Sequence, residues 1–86
     1  MEPLKRGTNV RVRWFDAVVA EDRWTDIDEG LEWAAEPLEL CETLGVVLLE
    51  TESFLAITFT DGIDCVGPII KIPRGCLNSV EVLSDE

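Results

Sequence analysis

From Val10 the chain alternates with a period of two: Val10, Val12 and Trp14 share one face and Arg11 and Arg13 the other, the pattern of a half-buried strand. The alternation fails at Phe15 and Asp16, and the apolar run over residues 17–20 predicts a bend or bulge with Asp16 beside it. Residues 21–37 form the only stretch with helical character. Asp26 and Glu29 have capping-box spacing, Ile27, Leu31 and Ala34 or Ala35 fall on one face, and Pro37 ends the run. A helix of about three turns or fewer is not stable alone. Ile27, Leu31 and Trp33 are therefore expected to pack on the strands, leaving Asp28, Glu29, Glu32 and Glu36 in water.

The Val-rich run over residues 43–50 is bounded by the polar stretch Glu50, Thr51, Glu52 and Ser53. Beyond it Leu55, Ile57 and Phe59 alternate with Ala56, Thr58 and Thr60, which predicts a hairpin. Asp61 and Gly62 mark a further turn, and Pro68 is acceptable only at a strand start or on an edge strand. The chain closes over residues 69–83 with two strands separated by Pro73, Arg74 and Gly75. Pro73 fixes φ and Gly75 permits a left-handed backbone, which suits a single 3₁₀ turn folding Ile70, Ile72, Leu77, Val80 and Val82 into one core. Residues 1–8 read as a loose N-terminal segment and residues 9–84 as one small domain. The fold expected is mainly β: a five-stranded antiparallel small β-barrel with one short helix inserted between the first and second strands.

With 86 residues there is little core to share, so each apolar strand position matters. A hydrophobic fraction of 47% puts the formal charge of −11 on a folded body and not on a disordered acidic tail. Acids outnumber bases 18 to 7, and over residues 21–42 Arg23 is the only base. Direct binding to duplex nucleic acid needs a basic patch and is not expected. The acid serves solubility or imitates the charge of a nucleic acid. Cys41, Cys65 and Cys76 are odd in number and follow no CxxC spacing, so they read as small buried hydrophobes in a reducing cytoplasm, without a disulfide framework or a zinc site. The longest apolar run, over residues 46–49, falls far short of the roughly 20 residues of a membrane helix, and no signal peptide opens the chain. No membrane association is expected.

The chain has no histidine, which removes Ser-His and Cys-His nucleophiles and His-based metal binding. Carboxylate pairs such as Asp16 with Asp26 arise by chance in so acidic a chain, and the acidic turn at residues 61–64 reads as solvated, so no enzyme, cofactor or metal is expected. Trp14 and Trp24 are either packing residues or a stacking face for a planar ligand such as a nucleobase. The scarce bases Arg11, Arg13, Lys71 and Arg74 either pair with nearby acids or form a local positive site. The candidate ligand-binding set is Trp14, Asp16, Trp24, Lys71 and Arg74. In it Arg74 offers a planar fork to phosphate, a tryptophan stacks, and Asp16 accepts from a base or ribose.

Five short strands, a long first connection and an Ile-Pro-x-x-Cys-Leu-x-x-Val turn before the last strand resemble the Src-homology-3-like and Sm-like small barrels. More narrowly, the chain resembles small proteins of phage and prophage genomes in four features: Trp14-Phe15-Asp16-Ala17, Trp24, Thr43-Leu44-Gly45, and the ending from Ile72 to Cys76. The resemblance implies a phage setting and the cytoplasm of a host. Proline-rich ligands call for tyrosine-lined grooves, and this chain has no Tyr. The function expected is a non-catalytic accessory protein that binds a host protein or a small nucleotide-like ligand, with a counter-defence role among the expectations. The alternatives are an acidic DNA mimic and a structural phage protein, with homo-oligomers forming through strand edges.

Overall fold

The computed structural model describes residues 3–18, 24–62 and 65–84. In chain order the elements are β1 (Asn9–Phe15), α1 (Ile27–Ala35), β2 (Leu40–Glu50), β3 (Phe54–Asp61), β4 (Val66–Pro73), a 3₁₀ turn (Arg74–Cys76) and β5 (Leu77–Ser84). The strands form one antiparallel sheet in the order β4-β3-β2-β1-β5. Pro68 thus lies on an edge strand, as expected.

β4 and β5 occupy opposite edges, yet only the 3₁₀ turn separates them in sequence. In a flat sheet those edges would lie about 19 Å apart, whereas a three-residue 3₁₀ turn spans only about 6 to 8 Å. The sheet therefore curls. Register shifts between Val47 and Leu49 on β2, and between Arg13 and Trp14 on β1, supply the local irregularity that bending requires. No ladder joins β4 to β5 among the described residues, so the sheet is not closed into the expected barrel.

Curling gathers one face into a core. Val10, Val12, Val47, Leu55, Ile57 and Ile72 are wholly buried, with Leu4, Trp14, Ile70, Cys76, Leu77 and Val80 packed around them. Gly45, opposite Val10, makes room for this packing, because a Cβ there would come within 3.2 Å of the Ile57 side chain and 3.0 Å of the Thr58 carbonyl. Val82, expected in the core, lies on the open β5 edge and stays half exposed. On the other face of β3, Ala56 and Thr58 are small enough for their neighbours to cover, and the buried Thr58 hydroxyl reaches the carbonyls of Thr60 and Pro68 at 3.0 and 3.1 Å.

Three local expectations change. Gly75 does not use a left-handed conformation; among the described glycines only Gly7 does, at φ 93°. It sits where the N-terminal segment turns onto β2. That segment is bonded to the sheet: Gly7 N–H donates to the Val47 carbonyl, Val47 N–H to the Thr8 carbonyl, and the Thr8 hydroxyl to the Lys5 carbonyl. Cys65 is exposed, unlike the small buried hydrophobe expected, while Cys76 packs on the core.

The largest departure is α1, which buries none of its residues. Asp26 makes no side-chain cap bond, and Glu36 N–H bonds the Trp33 carbonyl as the helix ends before Pro37. Ile27 and Leu31 do not pack on strands but stand 79% and 63% exposed. The Cα radius of gyration is 16.5 Å against about 12 Å for a compact chain of this length, and the molecule measures 52 × 27 × 20 Å. The helix and its flanks form an arm beside a self-sufficient sheet.

If the sheet holds the core alone, Leu55→Ala should cost about 3 kcal/mol in urea unfolding. Leu31→Ala, on the arm, should move stability by less than about 0.5 kcal/mol.

Candidate functional site

The five residues expected to share a ligand site are placed as follows. Trp14 lies on β1 opposite Cys41 and Leu77, half buried against the core, and its indole Nε1–H donates to the Thr43 hydroxyl at 3.0 Å. Asp16 is exposed just past β1, where its Oδ1 accepts from the Ala17 N–H at 2.9 Å. Trp24 is fully exposed ahead of α1. Lys71 is on edge strand β4, separated from β1 by β2 and β3, with Nζ 4.9 Å from the Phe54 ring centroid.

Arg74 is engaged on several sides. Its guanidinium donates to Glu50 Oε2 at 2.9 Å and to the Thr51 carbonyl, and its backbone N–H to the Ser53 carbonyl at 2.9 Å. Glu50, whose side chain is only 9% exposed, also accepts the Leu4 N–H on its other oxygen at 2.6 Å. The turn these contacts hold is itself ordered by Thr51, whose hydroxyl accepts from the Ser53 and Phe54 N–H groups. Arg74 and Lys71 thus both grip the β2–β3 hairpin.

The remaining strand bases are matched across the sheet. Arg11 binds Glu81 at 2.7 Å and lies 3.7 Å from Glu42, and Arg13 reaches Glu42 at 3.2 Å. The hydrogen bond and charge of Glu81 raise the Arg11 pKa further above its ordinary value. These bases stabilise strand pairing and do not converge on an anion.

Where the chain does offer an open concavity, the charge is of the other sign. A cleft of about 570 Å³ lies between the end of β1 and the C-terminal end of α1; Ala17, Val18, Trp33 and Leu38 wall it, and Glu36 and Glu39 add carboxylates. An apolar cleft with an aromatic wall and two carboxylates suits an organic cation or a basic side chain, not a phosphate. A second hollow of about 360 Å³ beside Leu4, Leu77 and Val80 has Arg74 as its one base, already paired with Glu50. The acidic turn considered for a cation includes Ile63 and Asp64, which lie outside the described residues.

Sequence reasoning missed Trp33 and Leu38 as cleft residues and Glu50 as a clamp. Trp33 is two positions from Leu31, about 200° round a helix, and this off-stripe placement was the available signal. Glu50 looked like one more hairpin acid. Compared with known proteins, the chain matches no family model, no curated protein and no solved structure. Among the described residues no helix is long and apolar enough to cross a membrane.

Arg74→Ala leaves a nearly buried carboxylate short of a donor and should lower stability by about 2 kcal/mol in chemical denaturation. Glu50→Ala should do at least as much, because the Leu4 N–H also loses its acceptor.

Proposed function

We propose that the chain is a non-catalytic binding protein whose partner is another protein, engaged through the α1 arm. One observation carries this: an amphipathic helix whose apolar residues Ile27 and Leu31 are exposed, preceded by a fully exposed Trp24. Isolated apolar side chains on a surface are ordinary, but a contiguous apolar stripe rimmed by charge marks an interaction surface. Arms of this kind act by laying the stripe into a partner's groove.

A nucleotide-like ligand draws less support, because Arg74 and Lys71 hold the hairpin and Trp14 packs on the core. The meander of β1 to β4, the one-turn 3₁₀ connection and the return of β5 to β1 support an open relative of the Src-homology-3-like and Sm-like barrels. With the phage-type features at Trp14 to Ala17 and Ile72 to Cys76, this favours an accessory protein acting in a host cytoplasm, where the three free cysteines would stay reduced. Self-association is the second reading. Among the described residues no strand pairs with the outer edges of β4 and β5, and Ile69 on β4 and Val82 and Leu83 on β5 are about half exposed.

A photo-crosslinking amino acid at position 31 should give one discrete protein adduct in the producing cells, and the same group at Glu52 on the hairpin none. Equal labelling at both positions, or none at 31, would remove the arm from this role. A saturable rise in melting temperature with a nucleotide, abolished by Trp24→Ala, would restore the nucleotide reading.

A further inference from the structure

We infer that the α1 arm docks into an apolar groove of a different protein whose walls carry Lys and Arg; this rests on the protein-binding reading above. Ile27, Leu31 and Ala34 recur at four- and three-residue intervals on the helix, with Trp24 just before it. Within the helix, Ile27, Leu31, Ala34 and Ala35 fall inside one arc of about 100°, the width of a groove-facing stripe. Trp24, Ile27, Leu31 and Leu38 are each at least half exposed.

Charge selects the occupant. Between Trp24 and Leu40 the chain carries Asp26, Asp28, Glu29, Glu32, Glu36 and Glu39 and no base. Asp28 and Glu32 flank the stripe on one side, so one wall of the groove should be cationic. On the far side of the helix Trp33 faces the cleft with Glu36 and Glu39, which accepts a Lys or Arg side chain by cation–π contact and ion pairing. A second copy is disfavoured as occupant, since apposed arms would bring like carboxylates together on two bodies of charge −11 each. A nucleic acid is disfavoured for the same reason.

The test uses three synthetic helical peptides of about 21 residues, long enough to hold a helix. One has a Leu face with Lys flanks, one the same Leu face with Gln flanks, and one Lys flanks without Leu. By calorimetry the Leu/Lys peptide should bind about tenfold or more tighter than either other peptide, and its binding should weaken between about 50 and about 300 mM salt. Ile27→Ser with Leu31→Ser keeps the net charge and should abolish binding without changing the melting temperature. Asp28→Lys with Glu32→Lys should reverse the preference toward a fourth peptide that has the same Leu face and Glu flanks.

Equal binding of the Leu/Gln peptide overturns the basic partner but leaves protein binding intact. Equal binding of the peptide with Lys flanks but no Leu face, or none by Leu/Lys, overturns the docking surface, and crosslinking at position 31 then decides the broader reading separately. Sedimentation as a dimer that the double serine variant dissociates would assign the arm to a second copy.

Discussion

The Glu50 carboxylate is the junction on which the curled sheet depends. One oxygen takes the Arg74 guanidinium and the other the Leu4 N–H, so three distant parts of the chain meet on a side chain that is nearly buried. Arg74 also bonds the Thr51 and Ser53 carbonyls, which pins the β4–β5 turn to the tip of the β2–β3 hairpin. Edge strands that a flat sheet would keep well apart are thereby held close at one end. Leu4 comes in with the N-terminal segment and packs against the core that the curl encloses. A desolvated carboxylate is tolerable only when its lone pairs are matched, and here charged and backbone donors share the task.

The sheet completes its core without the helix, none of whose residues is buried. A nine-residue helix has little stability in isolation, and this one lacks a side-chain N-cap and any basic residue near its C-terminal end. Its first-turn acids, Asp28 and Glu29, suit the helix dipole, while Glu36 at the other end does not. Groove binding would supply the packing the helix lacks, and the ordering free energy would be drawn from that contact. On the proposed reading the sheet would display the helix, and the helix would recognise the partner.

Four of the seven bases are engaged on the sheet. Arg11 and Arg13 offset Glu42 and Glu81 on neighbouring strands, Arg74 meets Glu50, and Lys71 caps the Phe54 ring. Positive charge therefore steadies the sheet, and the arm is left with carboxylates alone over residues 24–40. The overall charge of −11 becomes directional, concentrated where the apolar stripe is also exposed.

Period-two alternation in β1 and β3, the Pro73–Gly75 break and the Pro37 stop were legible because they reflect local backbone preferences, and five strands, one helix and the 3₁₀ turn followed from them. The parity of Val10, Val12, Leu55, Ile57 and Ile72 likewise identified the buried face. Pairing of Arg74 with Glu50, 24 residues away, was not legible, since a chain with 18 acids offers many equivalent partners. Nor was the exposure of Ile27 and Leu31. An amphipathic stripe states that a helix has a face to bury and is silent on whether this chain or another buries it. Strand number and apolar faces were local properties of the sequence; which cations were already engaged, and that the helix was left unpartnered, were decided by long-range contacts that only the tertiary structure contains.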